Sequence, residues 1–61
     1  MKQEITVDAE ELQEKLGLIL DDNYASIKLT IESDTYEQEL RVDAVGLSED
    51  DTVEYGNISA I

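Results

Sequence analysis

The sequence predicts a small two-layer α+β domain in which one helix packs on a mainly antiparallel sheet, in the order β-α-β-β. Two observations carry this prediction: polar and apolar residues alternate over residues 25–45, and leucine and isoleucine recur at helical spacing over residues 9–20. The 61 residues suit a single acidic domain spanning residues 1–61. Because the chain has no cysteine and no histidine, its stability has to come from tight packing or oligomerisation.

The first two predicted elements are a short strand over residues 2–7 and a helix that begins after Asp8. Ile5 and Val7 lie on one side of the strand, as alternation requires. Asp8 can accept the free backbone N–H of Glu11 as an N-cap, and Val7 with Leu12 has the spacing of a hydrophobic staple. These local signals fix the start of the helix.

The end of the helix is open to two interpretations. Gly17 could adopt a left-handed conformation and end the helix at Leu16. The longer helix, residues 9–20, is favoured because the apolar stripe continues past the glycine, and Asn23 then suits a left-handed cap. The stripe consists of Leu12, Leu16, Ile19 and Leu20.

A β-hairpin over residues 25–45 is the central prediction, with its turn at Ser33-Asp34. This register pairs Ile31 with Tyr36, Leu29 with Gln38, Ile27 with Leu40 and Ala25 with Val42 on the apolar face. The opposite face then carries Lys28 across from Glu39 and Thr30 across from Glu37. The helix stripe is expected to cover the apolar face.

The last third of the chain is predicted to contain a bend, an acidic loop and a short strand. Gly46 suggests a bulge or bend, and residues 48–51 form an acidic loop. Residues 52–55 have the composition of a short strand, which would be the fourth, and Gly56-Asn57 is a turn signal. The order of the strands in the sheet stays open.

The formal net charge of −12 restricts the partners of this protein. Direct binding to nucleic acid or to an anionic membrane surface relies on lysine and arginine, and the chain has only four such residues. No apolar segment resembles a secretory signal or a membrane span, so a cytoplasmic location is expected. The charge itself either keeps a small protein soluble or attracts a basic partner.

Catalysis and metal binding are not expected. Without histidine or cysteine the chain lacks the usual general base and the usual nucleophile, and a small two-layer fold offers little room for a catalytic carboxylate pair. The acidic runs at residues 21–23 and 49–51 lack the alternating ligand spacing of a calcium loop. We therefore predict no enzyme activity, no cofactor and no metal site.

The outward face of the hairpin is the candidate binding surface. Alternate residues on one face of a strand are about 6.7 Å apart, so a row of carboxylates there can stand in for phosphates. The function predicted from this is inhibition of a basic protein, in particular a nucleic-acid-binding enzyme, in the manner of phage inhibitors of restriction or CRISPR enzymes or of an antitoxin. The alternative is that this face is only solvated. The predicted partner-binding residues are Glu32, Glu37, Glu39, Asp43, Glu49, Asp50 and Asp51.

The alternative function is structural, through assembly of the chain with itself. Apolar residues beyond those needed for a core of helix and hairpin are concentrated in the last third of the chain, where they could form a homodimer interface. They could instead fold back over the core. The residues predicted for self-association are Val45, Leu47, Val53, Tyr55 and Ile58.

Overall fold

One helix and three strands make up the fold. The computed structural model describes residues 3–48 and 50–61, and in it α1 (Ala9–Asp21) is followed by β1 (Ser26–Ser33), β2 (Gln38–Val45) and β3 (Thr52–Ser59). The strands form one antiparallel sheet in the order β1-β2-β3. The predicted α+β class is confirmed, but the helix precedes all three strands, so the order is α-β-β-β.

The helix has the predicted start and the longer of the two predicted ends. The Glu11 backbone N–H donates to the Asp8 carboxylate over 3.1 Å, as expected for an N-cap. At the other end Asn23 has a positive φ of 68°. The backbone N–H groups of Asn23 and Tyr24 donate to the carbonyls of Leu20 and Ile19, which is the pattern of a Schellman motif. Helix α1 therefore continues through Gly17 to Asp21.

The hairpin is present, but its predicted register was wrong. Ile31 lies opposite Leu40 rather than Tyr36, so every residue of β1 pairs four positions further along β2 than expected. The connection is the loop 34–37, closed by a bond of 2.8 Å from the Asp34 backbone N–H to the Glu37 carbonyl. A shift by an even number leaves each residue on its predicted face. The observed register also places apolar residues opposite one another, whereas the predicted one placed Gln38 opposite Leu29.

Strand β3 is longer than predicted and contains a bulge where a turn was expected. Tyr55 and Gly56 together lie opposite Val42, and Gly56 has a φ of +96°. The Gly56-Asn57 turn prediction was therefore wrong, because the glycine accommodates a bulge within a strand. The Lys15 ammonium donates to the Tyr55 carbonyl at this bulge over 2.8 Å, which ties the helix to β3.

The N-terminal segment does not form the predicted strand within the described residues, and Lys2 lies outside them. Residues 3–8 have no regular structure, although Ile5 and Val7 are half-buried against the core as their alternation predicted. The segment is held by the Ile61 backbone N–H, which donates to the Thr6 carbonyl over 2.8 Å, and by the Gln38 side chain. It therefore borders the core without joining the sheet ladder.

The core lies between the helix and the sheet, close to β2 and β3. The helix approaches β3 more closely than the other strands. As a result, apolar residues of β1 are only partly covered. Leu20 is exposed and Tyr36, at the hairpin tip, is 93% exposed, so both were wrongly expected in the core. The buried apolar residues are Ile19, Leu40, Val42, Ala44 and Ile58.

Candidate partner-binding surface

The face of the sheet opposite the helix, which we call the outer face, has no second layer over it among the described residues. Alternation along β1 and β2 places polar side chains there, and the register sets which of them are neighbours. Lys28 lies opposite Asp43, Thr30 opposite Arg41, and Glu32 opposite Glu39. The charges on this face therefore separate into an end with both signs and an end with carboxylates only.

The carboxylate end, next to the hairpin loop, forms a concave surface that we call the acidic depression. It encloses about 300 Å³. Four of its six lining side chains are carboxylates and none is basic, and the nearby Arg41, whose pKa Glu32 helps to raise, is engaged by Asp43. The lining residues are Glu32, Ser33, Asp34, Glu37, Glu39 and Asn57.

A side chain from the third strand holds the two central carboxylates of the acidic depression. The Asn57 amide donates to Glu39 over 2.7 Å and to Glu32 over 3.1 Å. Like charges directly opposite on neighbouring strands are destabilising, so Glu32 and Glu39 are an unfavourable pair, which the neutral Asn57 amide bridges. A cation from a binding partner would reduce this repulsion.

The hairpin loop positions the remaining acids of the depression. The Asp34 side chain accepts the Tyr36 backbone N–H over 3.0 Å, and the Asp34 backbone N–H closes the loop on Glu37. Asp34 and Glu37 are exposed, as is the Tyr36 side chain between them. The loop therefore presents two carboxylates and one aromatic ring beside the acidic depression.

Asp43 is on the outer face but differs from the other predicted acids. It is only 4% exposed, and the Arg41 Nε donates to its carboxylate over 3.1 Å. This hydrogen bond, together with the charges of Asp43 and Glu54, raises the pKa of Arg41 above its ordinary value. Asp43 is thus buried and neutralised within the sheet, and it does not present a charge to solvent.

The acidic loop after β2 lies at the other end of the strand. Asp50 and Asp51 are exposed, and Glu49 lies outside the described residues. Strand β2 separates this loop from the acidic depression by about 25 Å at 3.3 Å per residue. The structure therefore brings together Glu32, Glu37 and Glu39 of the predicted set, and it places Asp50 and Asp51 apart from them.

The residues predicted for self-association do not form one exposed surface. Ile58 is fully buried in the core, and Tyr55 is half-buried with its hydroxyl donating to Asp22. The Asp22 hydrogen bond, followed by burial, raises the pKa of Tyr55 to about 12. Val45 faces away from the core, whereas Val53 is on the core face and Leu47 is fully exposed in the loop.

Three residues that line the acidic depression were not predicted as partner-binding residues, namely Ser33, Asp34 and Asn57. Asp34 was assigned to the turn and Asn57 to a second turn, so neither was placed on the outer face. The signal that could have found Asn57 is its alternation with Ile58 at the end of the chain.

Three further findings bear on function. Across residues 3–48 and 50–61 there is no group of three or more carboxylates placed to hold a metal ion. The described helix is too short and too polar to span a membrane. Comparison with known proteins gives no match to a protein-family model, to a curated protein or to a solved structure.

Proposed function

We propose that this protein is a non-enzymatic acidic module that binds a basic, nucleic-acid-binding surface of another protein and inhibits it. The observation that carries the proposal is the acidic depression, which four carboxylates line without a basic residue among its lining side chains. An inhibitor of a restriction or CRISPR enzyme and an antitoxin are both instances of this class. The absence of cysteine suits the reducing cytoplasm, where we place its action.

The electrostatics of the acidic depression support a basic partner. In the free protein, Glu32 and Glu39 repel each other across adjacent strands, and Glu37 and Asp34 add to the same potential. An arginine or lysine inserted between them gains charge-assisted hydrogen bonds and removes this repulsion. The same partner side chains would otherwise bind phosphates, so occupying them excludes nucleic acid.

The proposal narrows the surface predicted from the sequence. Asp43 no longer belongs to it, because its carboxylate is buried beside Arg41. Asp50 and Asp51 lie at the far end of the sheet and would serve a second contact only with a partner that spans about 25 Å. We therefore assign the principal contact to Glu32, Asp34, Glu37 and Glu39.

A pair of charge-matched variants tests the proposal. Glu37→Lys with Glu39→Lys replaces two of the four carboxylates of the acidic depression by ammonium groups and so cancels its formal charge, and Glu14→Lys with Asp21→Lys reverses exposed charges on the helix. Each substitution adds two positive charges, so both double variants have a formal net charge of −8 in place of −12. Any difference in partner binding between the two variants is therefore due to the position of the substituted charges and not to the net charge.

The experiment is capture of host proteins on each immobilised variant, followed by elution with a double-stranded DNA oligonucleotide. We expect the wild type and the helix variant to retain the same basic proteins and the DNA to release them. The variant with Glu37→Lys and Glu39→Lys should retain none of these. Equal retention by both variants, or retention that DNA does not reverse, would contradict the proposal.

A further inference from the structure

Strand β1 leaves one of its edges unpaired over its whole length. It is an outer strand of the sheet, and no described residue pairs with its free side. Its eight residues contain no proline and no bulge, which are two of the usual means of blocking an edge. Lys28 is the only charged residue in its first half. The edge is therefore competent to pair with another strand.

The apolar side of β1 is also incompletely covered. Ile27 is 38% exposed and Leu29 is 48% exposed, although both lie on the core face of the sheet. The cause is the position of the helix, which lies toward β3 at the opposite edge. An open depression of about 610 Å³ borders this region, and its apolar lining consists of Ile5, Val7, Leu12, Leu29, Ile31 and Leu40.

The sequence of β1 is complementary to itself when a second copy runs antiparallel to it. Opposite residues must share a face, which restricts the twofold axis to a residue position and excludes positions between residues. With the axis at Thr30, Lys28 of each copy lies opposite Glu32 of the other, and Leu29 lies opposite Ile31. This register forms two cross-strand ion pairs on the outer face and two apolar pairs on the core face.

Charge favours this edge over the rest of the surface. The β1 segment carries one lysine and one glutamate and is neutral, whereas the whole chain has a net charge of −12. Lys28 makes no ion pair within the described part of the chain. The Asn57 amide occupies only the Oε1 atom of Glu32, which leaves the other carboxylate oxygen for a lysine.

We propose that two copies of this chain pair through their β1 strands about a twofold axis at Thr30. The result is a continuous six-stranded antiparallel sheet with both helices on the same side, because residues that share a face stay together. The apolar residues of the two β1 strands then form one surface beside the axis. This interface goes beyond the proposed binding function, although Glu32 contributes to both surfaces. It uses none of the C-terminal residues predicted for self-association.

The first test exchanges the charges of Lys28 and Glu32 across the axis. The molecular mass of each variant is measured by light scattering and sedimentation at about 0.15 M salt. We expect a dimer for the wild type and about tenfold or more weaker association for Lys28→Glu and for Glu32→Lys, because each single change sets like charges opposite each other. Combining both changes restores the opposite charges and should restore the dimer. A monomeric wild type at hundreds of micromolar, or a double variant no better than the single variants, would overturn the proposal.

Disulfide trapping tests the register directly, because the natural chain has no cysteine. The two residues at position 30 face each other with Cα atoms about 4.5–5.5 Å apart, within the range of a disulfide. Thr30→Cys should therefore oxidise to a covalent dimer. The two residues at position 28 are about 13 Å apart along the strands, so Lys28→Cys should form little covalent dimer. Equal cross-linking of the two variants would show random collision and overturn the proposed pairing.

Discussion

Replacing Gly17 with alanine should stabilise the protein, and this result depends on the helix being continuous. Gly17 lies in the middle of α1, and a Cβ atom there would meet nothing within 4 Å beyond its chain neighbours and the backbone of the helix itself. Alanine in an exposed helix interior is more favourable than glycine by about 0.8–1.0 kcal/mol. For a domain of this size, that gain corresponds to a rise in Tm of about 4–8 °C.

Gly56 provides the matched control, since the same substitution there should have the opposite sign. Its φ of +96° is one that alanine rarely adopts, and the added Cβ would lie 3.1 Å from the Lys15 Nζ. The conformational cost for a residue with a side chain is about 1–2 kcal/mol. Lys15 can move, but it would then lose its bond to the Tyr55 carbonyl. We expect Gly56→Ala to lower the Tm.

Thermal unfolding followed by circular dichroism, together with urea unfolding, measures both variants. Opposite shifts of Gly17→Ala and Gly56→Ala support a helix that continues past residue 17 and a bulge at residue 56. If Gly17→Ala lowered the Tm, the glycine would be acting as a left-handed cap and the helix would end at Leu16. That result would refute the assignment of α1 and its contacts beyond Leu16.

Three more predictions concern the cap, the core and the contact between helix and sheet. Asp8→Ala should lower the free energy of unfolding by about 1 kcal/mol, because it removes the carboxylate that accepts the Glu11 backbone N–H. An unchanged Tm at neutral pH would contradict this prediction. Ile58→Ala should cost about 2–5 kcal/mol, whereas Leu47→Ala should change the unfolding free energy by less than about 0.5 kcal/mol. Equal effects would show that Ile58 is not a core residue. Because the Tyr55 pKa is raised from 10.0 to about 12, its bond to Asp22 stabilises the fold fully below pH 10 and loses this effect as the pH rises through 12. The stability difference between the wild type and Tyr55→Phe should therefore shrink over that pH window, and a constant difference would rule out this contact.

The faces of the hairpin could be predicted from the sequence, but its register could not. Alternation with a period of two assigns Ile31 and Leu40 to the same face whatever even shift relates the strands. The register depends on the loop, where the Asp34 side chain accepts the Tyr36 backbone N–H and the backbone closes on Glu37. This loop geometry leaves no trace in the alternation of polar and apolar residues.

Contacts between distant parts of the chain explain the other differences. The helix boundaries were predictable because Asp8 and Asn23 act on the backbone within a few residues. The bulge in β3 is contacted by Lys15, which binds the Tyr55 carbonyl from 40 positions away. The sequence does not show this contact, and Gly56 followed by Asn57 is a pair of residues that favours a turn. The N-terminal segment similarly alternates like a strand because one side of it is buried against the core.

The acidic depression was predictable in part. Glu32 and Glu39 follow from alternation alone, because each lies on the polar face of its strand. Glu37 was predicted on that face too, but it lies in the hairpin loop beside it. Asp43 has the same alternation, yet it is buried because Arg41 on the same strand folds over to bind it. The place of Asn57 in the acidic depression could not be predicted without knowing that β3 extends past Gly56. The sequence thus identified the charged face but not which of its carboxylates reach solvent.

The most direct test of the proposed function is the affinity of one captured partner for the two charge-matched double variants. The partner is purified and titrated with the wild type, the variant of Glu37 and Glu39, and the variant of Glu14 and Asp21, each at low and high salt. Our account predicts that the helix variant binds like the wild type, with affinity that falls as salt rises. It predicts that the variant of Glu37 and Glu39 binds more weakly by several kcal/mol, since its two new lysines then face basic residues of the partner. If both variants lose affinity equally, only the net charge matters and the acidic depression is not the binding site.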